Sequence, residues 1–201
     1  MRKILRPADD GVEAYPLLNS LVVPRPIAWV STVSDGGVGN LAPHSFFTVA
    51  CVDPPMIAFS SVGEKDTVRN VRATREFVVN IATRSMMRAV NNSSASFDAS
   101  ADEAAVLGIT MEASETVSPM RVGGSPAAME CVLHSAVQLG NSTLVIGQVM
   151  VFVVDPEIMD GDHPTMEGLE PLSRMGLNEW GLPPQVVHLD RPSEPSTIRA
   201  T

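Results

Sequence analysis

Aromatic residues are scarce in this chain, which has two tryptophans, one tyrosine and six phenylalanines among 201 residues. The core must therefore consist mainly of valine, isoleucine, leucine, alanine and methionine. Hydrophobic residues make up 44% of the sequence and charged residues 18%, which excludes a disordered protein. The length predicts one domain, over residues 1–190, followed by a disordered tail over residues 191–201.

Cysteine and positive charge are also sparse. Cys51 and Cys131 have no CxxC partner, which favours two reduced thiols in a cytoplasmic protein over a disulfide. The formal net charge is −9 and no basic run occurs, which argues against a nucleic-acid partner. There is no apolar stretch of about 18 residues to span a membrane. The apolar run after Lys3 is too short for the core of a signal peptide.

Several kinds of catalytic motif are missing. The four histidines are widely spread and no two are four residues apart, so no metal site is expected. A GxSxG nucleophile motif does not occur. Residues 37–42 fit the dinucleotide pattern GxGxxA, but Pro43 and the β-branched residues after it are incompatible with the helix that this pattern requires.

What the sequence does contain is centred on residues 25–47, RPIAWVSTVSDGGVGNLAPHSFF. Residues 27–33 are rich in β-branched and aromatic types and predict a strand. Residues 35–37, Asp-Gly-Gly, predict a tight reversal. The returning residues 40–47 expose backbone beside hydroxyl, amide and aromatic groups, which suits a flat ring with polar edges. The alternative is a simple hairpin that packs Phe46 and Phe47 into a core.

Further strands are predicted over residues 45–52, 56–61, 76–81, 129–139 and 142–154, the last two joined by a Gly-Asn hairpin turn. A two-turn helix with Asp66 or Thr67 as N-cap lies between them. After residue 155 the pattern indicates loops only. Short strands at hairpin spacing predict a mainly β fold, a closed or partly closed antiparallel barrel with a few short helices.

Residues 60–67, SSVGEKDT, form a second candidate site. Two hydroxyls end a strand there, and a glycine and Lys65 precede the start of a helix. Free backbone N–H groups, the helix dipole and a lysine together favour a phosphate group. The alternative is a solvated loop with an ordinary capped helix and a surface lysine.

The chain resembles the flavin reductase-like family, the FMN-binding split barrels that include flavoredoxin. The resemblance covers about residues 15–180. It rests on residues 25–47, then PPMIAFSS, KDTVRN and EFVVNI, and later on Ser125-Pro126 with Glu130-Cys131 and on PLSRMG. It implies a six-stranded antiparallel Greek-key split barrel that forms a homodimer and binds FMN near the subunit interface.

The resemblance also implies roles for particular residues. The flavin ring and its ribityl chain would be flanked by Trp29, Ser31, Thr32, Asn40, Ala42, His44, Ser45 and Phe46. The phosphate would be held by Ser60, Ser61, Lys65 and Thr67. Arg174 would approach the flavin or its phosphate from the C-terminal segment. Many relatives have tyrosine where this chain has His44, which leaves three roles open: stacking, hydrogen bonding or facing solvent.

No acid–base pair can be nominated from spacing, which agrees with chemistry carried by the flavin itself. The expected function is an NAD(P)H-dependent flavin (FMN) reductase that passes electrons to an acceptor, with no catalytic side chain and no metal. One alternative is a non-catalytic FMN-binding electron carrier that works with a redox partner protein. A barrel that has lost flavin and binds another ligand is the third possibility.

Overall fold

The computed structural model describes residues 2–194. Long strands alternate with short helices along the chain. The helices are α1 (Ala14–Leu21), α2 (Asp66–Thr74), α3 (Met87–Asn92), α4 (Glu103–Leu107) and α5 (Met166–Leu169). The strands are β1 (Arg25–Pro26), β2 (Ala28–Val33), β3 (Gly39–His44), β4 (Phe47–Cys51), β5 (Met56–Val62), β6 (Glu76–Ile81), β7 (Met111–Glu112), β8 (Arg121–Val122), β9 (Ala127–Leu139), β10 (Ser142–Val154), β11 (Met159–Asp160), β12 (His163–Pro164), β13 (Ser173–Arg174) and β14 (Trp180–Gly181). None of the helices within residues 2–194 is long and apolar enough to cross a membrane.

Seven antiparallel strands form the main sheet, in the order β3-β2-β6-β9-β10-β5-β4. Strands β3 and β4 lie at opposite edges of this sheet, yet only two residues separate them in the chain. Two residues span at most about 10 Å between the flanking Cα atoms, so the two edges must meet. The backbone N–H of Ser60 on β5 donates to the carbonyl of Phe46, 2.8 Å away, in this connection. The sheet therefore curls into a barrel.

The barrel interior is filled by aliphatic side chains and two rings. The rings of Phe59 and Phe77 meet edge to face, with centroids 5.6 Å apart. Helix α2 contributes Val68 and Val71, both fully buried, to the same cluster. These two valines are three residues apart, so they lie on one face of the helix and close the barrel from one end.

A second apolar cluster lies outside the barrel wall, beneath α3 and α4. Trp29 belongs to it, whereas its neighbours Ala28 and Val30 face the barrel interior. Strand β2 is therefore buried on both faces, which explains why Ala28, Trp29 and Val30 are all apolar instead of alternating with polar residues.

The mainly β antiparallel split barrel with a few short helices is confirmed. The main sheet has seven strands where six were expected, because the bend between His44 and Phe47 divides one run of chain into a strand at each edge. The helix start differs by one residue, since Lys65 is the N-cap of α2 and Asp66 is its first residue. The prediction of loops only after residue 155 was wrong, because β13 pairs with β1 and with β14. Residues 195–201 of the predicted tail lie outside the described residues.

Candidate functional site

Two clefts lie side by side along the end of β3. The polar cleft, about 270 Å³, is lined by Asn40, Ala42, Pro43, His44, Glu64, Lys65, Asp66, Thr67, Arg69, Ser93, Ser94, Ala95, Ser96, Phe97 and Glu103. The aromatic cleft, about 260 Å³, is lined by Tyr15, Ile27, Pro43, Ser45, Val90, Asn91, Ser94, Arg174 and Trp180. The clefts share Pro43 and Ser94, so they adjoin at these two residues, and together they are called the groove.

The wall of the polar cleft rests on a buried hydrogen-bond network between β2, β3 and α2. Asn40 Nδ2 donates to Thr32 Oγ1 at 3.0 Å and to Thr67 Oγ1 at 3.2 Å. Asn70 Nδ2 also donates to Thr32 Oγ1, at 3.1 Å. The ring of His44 lies 3.3 Å from Thr67 Oγ1 through Nε2. Because these bonds join two strands to the first turn of α2, they fix the position of that helix start against β3.

The helix start carries an unpaired cation. Two of the three cations around it are neutralised, since Arg69 pairs with Asp66 and Arg72 pairs with Glu64. Lys65 makes no ion pair or side-chain hydrogen bond within residues 2–194. Within residues 2–194 no side chain caps the first turn of α2. The N–H of Val68 donates to the carbonyl of Lys65, so the N–H groups of Asp66 and Thr67 are left to solvent or to a ligand. The free lysine and the positive end of the helix dipole together favour an anion at this end of the groove.

Two buried titratable side chains line the polar cleft. Burial and, to a lesser extent, the positive charge of Lys65 lower the pKa of His44 to about 3, so the imidazole is neutral at neutral pH. Its ring also lies 4.7 Å from that of Phe59, centroid to centroid. The Glu103 carboxylate accepts from the backbone N–H of Leu41 at 2.8 Å, yet burial raises its pKa. Of the three roles left open for His44, the structure therefore shows burial with a hydrogen bond and a ring contact.

Seven of the candidate residues line the groove. Five are in the polar cleft, namely Asn40, Ala42, His44, Lys65 and Thr67, and two are in the aromatic cleft, Ser45 and Arg174. The hydroxyl of Thr67 is already hydrogen-bonded to Asn40 and His44, so it supports the wall of the cleft. Among the five residues in the polar cleft, Lys65 is the cation, and it has no ion pair within residues 2–194.

Ser31 and Thr32 lie on β2, directly paired with β3. With Asn40 they line a separate cleft of about 230 Å³. The hydroxyl of Ser31 donates to the carbonyl of Met120 at 2.6 Å, and that of Thr32 accepts from two asparagines. Both hydroxyls are buried and serve the packing of β2.

The other four candidates do not line the groove. Trp29 is buried beneath α3 and donates through Nε1–H to Ser93 Oγ at 2.9 Å. Ser60 is half-buried on β5. Ser61 is buried, and in the described part of the chain its hydroxyl has no hydrogen-bond partner. The ring of Phe46 lies 5.8 Å from the guanidinium carbon of Arg25. Phe47, by contrast, packs against the barrel core, as the hairpin alternative expected.

The groove includes residues that the sequence did not reveal. Glu103 and the serines of residues 93–96 line the polar cleft, and Tyr15 and Trp180 form sides of the aromatic cleft. The guanidinium of Arg174 stacks on Trp180, 4.8 Å from the ring centroid. The serine-rich composition of residues 93–96 was the one available signal, and it indicated only a loop. Within residues 2–194 no group of three or more histidine, cysteine, aspartate or glutamate side chains could hold a metal ion.

Comparison with known proteins agrees with this architecture. A protein of Halalkalibacterium halodurans, BH2278, is 37% identical over 194 residues, covering 90% of this chain and 92% of its own. A flavin reductase of Pseudomonas putida is 28% identical over 123 residues, covering 61% and 68%. The crystal structure of nitrilotriacetate monooxygenase component B from Bacillus cereus superposes with a TM-score of 0.89 at 32% identity, covering 94% of this chain and 98% of that one.

The family model called flavin reductase like domain matches residues 20–166. The matched region holds the whole main sheet and α2, and it includes every residue of the polar cleft. The chain therefore belongs to the flavin reductase-like domain family.

Proposed function

We propose that the chain is a flavoprotein oxidoreductase that binds FMN in the groove and reduces it with NADH or NADPH. The observation that carries this proposal is the unpaired Lys65 at the uncapped start of α2, at one end of a groove whose other end is aromatic. A phosphorylated ring compound needs an anion site at one end and a flat apolar wall at the other. The groove has Lys65 at one end and the rings of Tyr15 and Trp180 at the other.

The residues present fit FMN. Lys65 and the first N–H groups of α2 would hold the phosphate, and the wall formed by Asn40, Ala42 and His44 would run beside the ribityl chain. Ser45 and Arg174 would meet the ring. Bound there, FMN would supply the chemistry, accepting a hydride from the reduced nicotinamide and releasing electrons to an acceptor. Because His44 is neutral and Arg69 is paired with Asp66, Lys65 would supply the positive charge for the phosphate.

The protein itself would supply orientation and a fixed electrostatic field. The buried Thr32–Asn40–Thr67 network holds the helix start against β3, so the phosphate site would need no rearrangement on binding. The N–H donors and guanidinium along the groove would favour the negative charge that builds on a reduced ring.

We propose further that two copies associate in the cytoplasm. Apolar side chains stand exposed on β4, β9 and β10, among them Val49, Val137, Met150 and Phe152. Light scattering after gel filtration measures this directly. A monomer at micromolar concentration would contradict the dimer and would leave the groove unaffected.

The test of function is spectroscopic. We expect the purified protein to bind FMN, to be yellow, and to lose flavin absorbance within seconds when NADH or NADPH is added without oxygen. A yellow protein indifferent to both nicotinamides would instead be an electron carrier. A colourless protein that ignores added FMN would refute the flavin proposal altogether.

A further inference from the structure

Two arginines face each other at the end of the aromatic cleft. Arg25 on β1 and Arg174 on β13 are directly paired across an antiparallel ladder. Like charges directly opposite each other on neighbouring strands are destabilising, and such pairs are ordinarily separated or neutralised. Both side chains line a small pocket of about 110 Å³, the arginine pocket, with Tyr15, Pro16, Asn19, Ser45 and Leu177.

No carboxylate neutralises this pair. Within residues 2–194, neither guanidinium has an acidic oxygen within 4 Å. Arg25 donates only to the carbonyls of Asn19, Val22 and Met175, and Arg174 donates to the carbonyl of Leu177. Burial lowers the pKa of Arg25, and the nearby charge of Arg174 lowers it further. Within residues 2–194 the buried Arg25 and the half-buried Arg174 thus share a pocket without a counter-ion, and an anion bound between them would relieve their repulsion.

Unused donors line the same pocket. The Nε atom of Arg25 is buried and has no hydrogen-bond partner among residues 2–194. In the described part of the chain the hydroxyls of Tyr15 and Ser45 make no hydrogen bond. Arg174 has only one of its nitrogens engaged. Of these donors only Arg25 Nε is buried. Buried donors without partners are rare in proteins, so its place in a cationic pocket indicates an absent acceptor.

The arginine pocket continues the groove away from Lys65. It shares Tyr15, Ser45 and Arg174 with the aromatic cleft, which in turn joins the polar cleft. Its volume suits one oxyanion group and excludes a ring. If FMN lies with its phosphate at Lys65, as the proposed function has it, the pocket lies at the ring end.

We propose that the arginine pocket binds an oxyanion, a carboxylate or phosphate, of the second substrate and so orients that substrate against the flavin. This inference rests on the proposed function for its assignment to a second substrate, although anion binding by the pocket can be measured without any flavin. Two sources present such a group: an anionic aromatic electron acceptor, or the pyrophosphate of the nicotinamide dinucleotide.

The test uses the full chain freed of flavin, with benzoate, benzamide and inorganic pyrophosphate as probes and tryptophan fluorescence as the readout. Trp180 stacks on Arg174 and should report binding, and the variant Trp180→Phe should lose that signal while Trp29 remains. We expect benzoate or pyrophosphate to bind saturably and neutral benzamide to bind at least about tenfold more weakly. Tighter binding of benzoate identifies a carboxylate acceptor, and tighter binding of pyrophosphate identifies the dinucleotide.

Arg174→Gln removes one of the two charges and should weaken the preferred anion about tenfold or more, whereas Arg174→Lys should recover part of the loss. Arg88→Gln, an exposed arginine on α3, is the matched control and should change nothing. Arg25 is a poor target for substitution because its three carbonyl bonds tie α1 to the C-terminal segment.

Three results would overturn the inference. Equal affinities for benzoate and benzamide would show that the pocket does not recognise negative charge. Unchanged anion binding in Arg174→Gln would show that the pair is not the site. Loss of FMN affinity in Arg174→Gln with riboflavin affinity retained would show that the arginines hold the cofactor's own phosphate. If the protein binds no flavin, the proposed function is refuted, but the anion titration still tests whether the arginine pocket binds an oxyanion.

Discussion

Thr67 Oγ1, in the first turn of α2, lies 3.3 Å from Nε2 of His44, the last residue of β3. The contact joins the two segments that the sequence had identified as separate candidate sites. It is buried, and Asn40 reinforces it from a second side. The polar cleft therefore has a preformed wall, with Lys65 as its free cationic group.

The buried imidazole should make stability depend on pH. Between about pH 6.5 and pH 3 the unfolded chain protonates His44 while the folded chain does not, so acid favours unfolding in this window. We expect the free energy of unfolding to fall by up to about 1.4 kcal/mol per pH unit from this group as the pH is lowered. Urea denaturation at several pH values measures it.

The variant His44→Gln should flatten that dependence. Glutamine can still bond to Thr67, and the contribution of Glu103 is common to both proteins. His134→Gln replaces an exposed histidine and is the control, expected to keep the wild-type slope. Identical slopes in all three proteins would contradict the assignment.

Lys65→Ala should discriminate between two flavins. Because only FMN carries a phosphate, we expect its affinity to fall about tenfold while that of riboflavin is unchanged. Thr67 is a poor target for the same purpose, since its removal would disturb the buried network. Fluorescence titration with each flavin provides the measurement.

Lys3→Ala is the matched control, because Lys3 is exposed and is the other lysine of the chain. It should leave both affinities at the wild-type value. An equal loss of affinity for FMN and riboflavin in Lys65→Ala would mean that the lysine does not bind the phosphate.

Glu130 should be a major determinant of stability. Its carboxylate is fully buried and accepts from the backbone of Glu115 and Thr116, from the Thr116 hydroxyl and from Arg121. Burial opposes its ionisation, yet these bonds together lower its pKa. Glu130→Gln leaves Arg121 without its buried partner and should cost about 3 kcal/mol in chemical denaturation.

Glu115→Gln is the comparison for that variant. Glu115 is largely exposed and lies 3.6 Å from the same guanidinium, so its loss should cost less than about 1 kcal/mol. Comparable losses in the two variants would show that burial of the Glu130 carboxylate contributes little.

Gly147 on β10 should not tolerate a side chain. A Cβ there would overlap the ring of Phe77 and approach Cys131 Cβ to 3.4 Å. Because Phe77 is fully buried in the barrel core, it has no room to move, and Gly147→Ala should destabilise the fold by about 1–3 kcal/mol. Gly36→Ala is the control. The nearest atom to the added Cβ is Ser34 Oγ at 3.8 Å, so the free energy of unfolding should be close to that of the wild type.

Local patterns were enough to predict most of the barrel. Strand β6 has the predicted bounds, Glu76 and Ile81, and β9 and β10 are joined by the predicted Gly140-Asn141 turn. The tight turn before β3 and the helix after β5 followed from glycine and from the spacing of Val68 and Val71. Such features depend on backbone sterics and side-chain period, which neighbouring residues determine.

The short C-terminal strands had no such signal. Strands β13 and β14 are two residues long and exist because β13 pairs with β1 at the other end of the chain. Two residues cannot show a period, so only a partner strand can define them. The prediction of loops in this region was wrong for that reason.

By itself, the sequence determined the class of fold, the strand order along the chain and the segments that could carry a site. Only the tertiary structure decided which of their side chains remain free. The Thr67 hydroxyl is already hydrogen-bonded to Asn40 and His44, whereas Lys65 has no ion pair within residues 2–194. Arg25 and Arg174 lie opposite each other only because β1 pairs with β13. Whether a polar group is satisfied depends on its neighbours in space, and residues distant in the chain supply those neighbours.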